Sequence, residues 1–313
     1  MSVKKRCLLL VLGCVAMVMT SQLVAQNIKY EYQSFEVPGA VRTSAFHISA
    51  QGDVAGRYMT GTDPCTRSFH SFVWKDGVFE YFDFPGAYST LADGINARGE
   101  VTGRFLDSPG PEVWLGDRFP CTLQAGRGFV RTKGGEFQEI TLPDTVYVGV
   151  NQLTASGMML VDSIGTGCWP DYSLPGCEHG HLLKSGSSYQ IDYPGSTWTD
   201  ARSINEKGDI VGCYGDSEGR EHGFLLKNGQ FSTVDYLAEG TCINDINPAG
   251  EMVGYSYDTE RWVSFLLRAG DFIEIQFPDA DSTTVWGINS QGTVCGSWNG
   301  ADGIGRSFVA KRH

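Results

Sequence analysis

Ser203-Ile204-Asn205-Glu206-Lys207-Gly208-Asp209-Ile210-Val211-Gly212 is the stretch whose reading decides the fold, because the chain says it again and again. Gly94-Ile95-Asn96-Ala97-Arg98-Gly99-Glu100-Val101-Thr102-Gly103 and Gly287-Ile288-Asn289-Ser290-Gln291-Gly292-Thr293-Val294-Cys295-Gly296 are clear copies, and weaker ones centre on Gly52, Gly157 and Gly250. Self-similarity at a period of roughly 40–50 residues marks a repeat architecture in which no unit buries a core alone.

Around the quoted copy, Trp198 to Ile204 reads as a strand running into the Asn205–Gly208 turn, whose glycine accepts the positive φ of a bulged hairpin. Asp209–Tyr214, Gly223–Leu226 and Phe231–Tyr236 read as three further strands, the last with period-two alternation. No window sustains an apolar i, i+3, i+4, i+7 stripe with caps. Four strands per repeat in an all-β chain predicts a propeller blade. The third strand opens small-then-apolar in five repeats: Ser71-Phe72, Gly128-Phe129, Gly223-Phe224, Ser264-Phe265 and Ser307-Phe308. The third repeat has Gly180-His181 there, and departs again at Thr154 and Val161. Fourth strands run to Pro85, Pro143, Pro194 and Pro278, where proline costs no ladder bond.

The ends fix the expected topology. The sixth repeat stops after Ser307-Phe308-Val309-Ala310 without a fourth strand, while Tyr32 to Pro38 is an orphan strand near the start. A six-bladed ring of four-stranded antiparallel blades, closed by the N-terminal strand completing the last blade, removes the edges an open array would expose.

Residues 1–25 read as a signal peptide: Lys4, Lys5 and Arg6 form a basic start, Cys7 to Met19 an apolar run, and Leu23-Val24-Ala25 a cleavage context. The run is too short to span a bilayer comfortably. A second reading takes Leu12-Gly13-Cys14 as a lipobox with an acylated Cys14. Residues 26–313 then form a single propeller domain without a transmembrane segment. Loss of the three basic residues takes the formal charge from −12 to −15. Such an acidic chain is repelled by phosphate backbones, which argues against nucleic-acid binding.

The Gly-Ile-Asn-x-x-Gly-x-Val-x-Gly-x-Tyr phrase, followed by His-Gly-Phe-Leu and Phe-x-x-Asp-x-Pro-Gly, resembles the bacterial HAF-family extracellular repeat over residues 29–311. The resemblance implies an exported, propeller-type repeat protein and no particular activity.

Function is sought where the repeats grow. Spacings between the repeat glycines are 47, 58, 51, 42 and 42 residues, and the excess falls between the second and third strands of the first three repeats. The insertions Met59–Ser68, Leu106–Gly126 and Asp162–Glu178 should all rise on the side of the blade-to-blade links. They carry Trp114, Phe119, Trp169 and Tyr172, rings suited to stacking on a sugar or packing on a protein. The expected partner is therefore an extracellular glycan or cell-surface protein. A polysaccharide hydrolase or lyase using Asp107, Glu112, Asp117, Asp162, Asp171 or Glu178 is the alternative.

Cys65, Cys121, Cys168 and Cys177 lie in the insertions and are disulfide candidates, Cys168 with Cys177 and Cys65 with Cys121. Cys213, Cys242 and Cys295 fall on repeated strands and read as buried free thiols. No cofactor is called for, and zinc is disfavoured by the lack of a close cysteine pair. Asp216-Ser217-Glu218-Gly219 and Asp279-Ala280-Asp281 complete no calcium loop. His70, His179 and His222 share one repeat position, and Asp107, Asp216 and Asp258 another, so an Asp216–His222 brace is expected. His181, standing where other repeats place an apolar residue, is kept as a ligand-binding candidate. Nucleophile-elbow, zinc-protease and phosphate-loop motifs are missing.

Overall fold

A computed structural model describes residues 28–63, 66–109, 126–166 and 178–313, apart from the Glu178 side chain. Twenty-four strands and no α-helix make up these residues. In chain order they are β1 (Tyr30–Phe35), then β2 (Arg42–Ile48), β3 (Val54–Thr60), β4 (Ser68–Lys75) and β5 (Val78–Phe82). Next come β6 (Ser89–Ile95), β7 (Val101–Leu106), β8 (Arg127–Arg131) and β9 (Phe137–Ile140), followed by β10 (Thr145–Leu153), β11 (Met159–Gly165), β12 (Glu178–Lys184) and β13 (Ser187–Ile191). The quoted repeat forms β14 (Trp198–Ile204), β15 (Ile210–Gly215), β16 (Glu221–Lys227) and β17 (Gln230–Val234). The remainder is β18 (Gly240–Ile246), β19 (Met252–Tyr257), β20 (Trp262–Arg268), β21 (Asp271–Ile275), β22 (Ser282–Ile288), β23 (Val294–Asn299) and β24 (Gly305–Arg312).

Each repeat is an antiparallel up-and-down run, as the hairpin signals predict. The runs do not all stay separate. Two sheets hold four strands and two hold eight, because single parallel bridges, Arg42↔Gly305 and Glu221↔Gly240, tie neighbouring units together. The orphan strand lies where the edge argument puts it: β1 pairs antiparallel with β24 from Tyr30↔Arg312 to Phe35↔Ser307. Tyr32 anchors it, its ring 5.8 Å from Phe308 and 5.3 Å edge-on to Phe277.

The phenylalanine that opens strand three fills each unit: Phe72, Phe129, Phe224, Phe265 and Phe308 are fully buried. Burying a side chain of that size stabilises by about 2–3 kcal/mol. Stacked pairs such as Phe84–Phe105 and Tyr193–Tyr214, with centroids 3.7 and 3.6 Å apart, carry that core across the link between units.

The repeated asparagine explains itself. In Asn247, Oδ1 accepts the Ala249 and Glu251 amides, each at 3.0 Å, closing its own turn, while Nδ2 donates to the Asn289 carbonyl of the next unit at 3.1 Å. Asn205 donates likewise to the Asn247 carbonyl (3.3 Å), and Asn289 to the Ser49 carbonyl (3.2 Å) near the start of the chain. The motif is thus both a turn and a staple to its neighbour.

Candidate functional site

Antiparallel strands β2, β6, β10, β14, β18 and β22 each carry a register shift at one equivalent place, and the extra residue is of five types in six places: Phe46, Asp93, Asn151, Arg202, Asn244 and Trp286. A bulge leaves its extra residue unpaired and re-aims the side chain. On the neighbouring strand, the residue after the closing position of the phrase varies just as freely: Arg57, Arg104, Asp162, Cys213, Tyr255 and Ser297. The most regular motif in the chain therefore holds its least regular columns.

These variable residues meet one another. Phe46 and Trp286 rings stand 5.2 Å apart, with the Arg57 guanidinium 4.1 Å over Phe46. Arg57 reaches Asp93 at 3.5 Å, Arg104 contacts the same carboxylate more closely, and Arg104 also lies 6.0 Å over the Tyr147 ring. Farther round, Asn151 donates to the Ala201 carbonyl (2.9 Å), Arg202 binds Asp200 and the Asn244 side chain (both 2.7 Å), and Asn244 donates to the Val285 carbonyl (2.8 Å) beside Trp286.

Electrostatics in this cluster are set by burial. Arg57, Arg104 and Asp162 are only 8, 7 and 8 % exposed. Burial lowers the Arg57 pKa to about 10, with Asp93 opposing and Arg104 adding to the fall. For Arg104 burial is outweighed by Asp93, Tyr147 and Asp162, which hold its charge firmly. Burial pushes Asp162 up to about 7; Arg104 pulls it back, while Asp200 and Asp93 reinforce the rise. Its Oδ1 has no hydrogen-bond partner among the described residues. Glycine at 149 makes room for it, since a Cβ there would stand 2.5 Å from that oxygen and 3.0 Å from the Tyr147 hydroxyl.

Beside this tier, Asp245 knots four units: it accepts from Ser203 Oγ (2.5 Å) and the Ile288 amide (2.7 Å), and pairs with His47 at 3.3 Å. Burial opposes charge on both partners, yet their mutual attraction raises His47 and lowers Asp245. Three arginines, three aspartates and three aromatic rings, fixed by bonds to each other, offer donors, acceptors and flat apolar faces together. That mixture suits a hydroxyl-rich or mixed polar–apolar ligand; a polyanion would demand one sign of charge.

The residues singled out from the sequence are distributed differently. Trp114, Phe119, Trp169, Tyr172, Cys65, Cys121, Cys168 and Cys177 lie outside the described residues. What flanks them is on the expected side: Tyr88 Oη donates to Thr66 O (2.5 Å) and the Thr166 amide to Asp144 O (2.9 Å), each tying an insertion to a link between units, while the Val148 amide of β10 donates to Gly126 O (2.9 Å). His181 sits inside its sheet, paired with Val161, its Nε2 2.9 Å from Ser163 Oγ. Burial, then His179, lowers its pKa. Asp107 forms an exposed ion pair with Arg127 (2.5 Å), and Glu112, Asp117 and Asp171 lie outside the described residues.

The Asp216–His222 brace is present at 3.1 Å, and His222 Nδ1 also meets Asp235 at 2.9 Å. His70–Asp83 (2.8 Å) and His179–Asp192 (3.2 Å) repeat that second contact, so the recurrent partner is the aspartate after strand four. The reading of Cys213 and Cys242 as free thiols is corrected: they form a disulfide joining β15 to β18, while Cys295 is free and buried. The two cysteines stand on strands of adjacent units that the pairing of single hairpins does not bring together, so repeat phase alone hid them. One His/Cys/Asp/Glu grouping among the described residues is tight enough for a metal, Cys213, Glu221 and Cys242, and the disulfide withdraws both its sulfurs. No helix among those residues is long and apolar enough to cross a membrane.

Sequence reasoning missed the bulge cluster because it looked for long loops. The available signal was the column two places before the Ile or Leu of the phrase, where an otherwise regular repeat reads Phe, Asp, Asn, Arg, Asn, Trp.

No protein-family model matches the chain, and no curated protein matches it. Solved structures do. AofleA from Arthrobotrys oligospora is similar with a TM-score of 0.53 at 13% identity, covering 90% of this chain and 86% of its own. A protein described as a gluconolactonase gives 0.50 at 13% identity, covering 91% and 92%. The β-propeller domain of the Trilobed protease from Pyrococcus furiosus gives 0.49 at 8%, covering 87% and 97%. At such identities the likeness to the first two shows the all-β, propeller-like fold alone and leaves activity to the residues.

Proposed function

We propose that the chain is an exported propeller of HAF-type extracellular repeats, with six blades in a ring that β1 closes, and that it works as a binding module. The β1–β24 ladder, the Asn289–Ser49 staple and the Phe46–Trp286 contact, all joining the last unit to the first, support the closed count. The ligand, a glycan or a surface protein, reaches the bulge residues from the side that carries the insertions. One observation carries this reading: six side chains of five different types converge from one repeated bulge, an arrangement that packing does not require and recognition uses.

The test screens the secreted chain on glycan and surface-protein arrays, then measures the selected ligand against Arg202→Ala and Trp286→Ala. We expect a loss of at least about tenfold for each, the usual effect of truncating a central contact. Unchanged affinity in both variants, at unchanged melting temperature, would sink the reading.

Asp162 favours a second reading, a polysaccharide hydrolase or lyase. A carboxyl that titrates near neutrality with Asp93 and Asp200 acting on it is equipped to hand over a proton. Release of reducing ends from a polysaccharide panel, abolished in Asp162→Asn, is its signature; no release by the wild-type chain rejects it.

A further inference from the structure

A second aromatic surface adjoins the bulge cluster through Arg202 and Tyr255, on two units with short loops. Trp262 begins β20 on the side of the insertions and is 52 % exposed. Its indole stacks on Tyr255 (centroids 4.4 Å, planes 19° apart) and on Tyr257 (5.4 Å, 6°). Those tyrosines are two residues apart on β19 and so share one side of the strand. Both rings lie against the indole, and about half of the Trp262 surface remains open to solvent.

The support is rigid. The Tyr257 ring lies over Gly240, where a Cβ would come within 2.4 Å of it, and Trp198 lies across Gly215, where a Cβ would stand 2.2 Å from its Nε1. Trp198 and Tyr257 pack on the Cys213–Cys242 disulfide, which fixes the two units against each other. Polar groups flank the stack. Glu221 accepts from the Tyr255 hydroxyl (3.1 Å), Arg202 lies 5.7 Å over Tyr255, and Arg261, next to Trp262 in the chain, pairs with Glu274 at 2.8 Å. Burial raises the Glu221 carboxyl above its usual range, which suits it to share protons with neutral hydroxyls.

We propose that the exposed part of the Trp262 indole is a platform for the apolar face of a neutral pyranose ring, whose hydroxyl edge meets the Glu221 and Arg261 side chains. A preorganised aromatic plane with donors and acceptors beside it is what a sugar presents in complement: C–H groups on one face and hydroxyls around the edge. An apolar peptide would require a groove to bury its side chains, and Trp262 offers a plane. The inference deepens the binding-module reading and rests on the insertion-bearing side being its working surface.

The experiment uses saturation-transfer NMR on the full mature chain with β-1,4-linked oligosaccharides of glucose, xylose and N-acetylglucosamine. Transfer to the ring C–H protons of at least one is expected for the wild type. It should fall about tenfold or more in Trp262→Ala, the scale of one stacked ring, and persist in part in Trp262→Phe. Because Trp262 is half exposed, both variants should melt with the wild type, and the Phe variant separates loss of the plane from loss of the fold. Absence of transfer from all three sugars, or undiminished transfer in Trp262→Ala, overturns the proposal. If Arg202→Ala and Trp286→Ala lose an array-selected ligand while Trp262→Ala keeps it and transfers sugar unchanged, this inference fails and the binding-module reading stands.

Discussion

Asp162 is a buried carboxyl raised well above its usual range, and it makes a prediction free of any ligand. Its folded pKa, about 7, lies above the value near 3.9 of an unfolded aspartate. Between those values the folded chain binds the extra proton, so stability falls as pH rises through the window and levels off above it. The loss is at most about 4 kcal/mol, from roughly three units at 1.36 kcal/mol each. Asparagine keeps the shape and removes the charge. Asp162→Asn should therefore match wild type near pH 4 and exceed it by about 1 kcal/mol or more at pH 8. Urea melts of both chains at pH 4, 6 and 8 check this, since every other titrating group cancels in the difference; a pH-independent difference rejects the assignment. The sequence marks Asp162 only as one of six candidate carboxylates, because its shift comes first from burial and then from Asp200 and Asp93, 38 and 69 residues away. The Asp216–His222 pair was legible for the opposite reason: both ends sit in one hairpin and recur in register.

At the scale of the element, the bulge accounts for the glycine that closes the phrase. On β19, Gly254 lies opposite the shifted stretch of β18, and a Cβ there would stand 2.1 Å from the Cys242 carbonyl oxygen. Backbone cannot retreat as a side chain can. Gly254→Ala should cost about 3 kcal/mol or more, well beyond the roughly 1 kcal/mol typical of substitutions. Gly250→Ala is the control: it is strained only by its φ of +84°, with open space around the added methyl, and should cost about 1 kcal/mol. Denaturant midpoints decide; equal losses would mean that the bulge does not press on Gly254. The third repeat shows how the rule is relaxed, for Val161 takes that place on β11 while β10 alone carries a second register irregularity, between Thr145 and Tyr147. Strands and turns could be read from the sequence because alternation, Asn-x-x-Gly turns and terminal prolines are local chemistry. The bulges were hidden: a bulge is a mismatch between two strands, and each strand by itself looks regular.

At the scale of the whole molecule, the joint between β1 and β24 is the feature on which the proposed ring rests. Strand β1 pairs with β24 rather than with its sequence neighbour β2, and is held by that six-residue ladder and by Tyr32. The ladder also runs to the end of the chain, where the His313 amide donates to the Lys29 carbonyl at 3.0 Å. The joint is thus a hairpin that lacks only its turn. Covalent order should then be interchangeable with spatial order. A circular permutant that links His313 to Ile28 through a short Gly-rich turn and opens the chain between Gly39 and Ala40 keeps every β1–β24 pair. It gives up one backbone bond, Ala40 N to Val37 O at 3.1 Å, together with the tether that lets Thr43 Oγ1 accept the Val37 amide at 2.9 Å. Each such bond contributes about 1 kcal/mol net, and closing β24 to β1 by a short turn offsets part of that by lowering the entropy of bringing the strand home. The permutant should therefore unfold cooperatively within about 5 °C of the mature chain. Deleting residues 26–38 outright, with no copy restored after β24, should instead expose the β24 edge and drive association. Scanning calorimetry and light scattering on the two constructions separate the cases: a permutant that melts far lower, or a truncated chain that stays monomeric and equally stable, would show that the ring does not depend on β1.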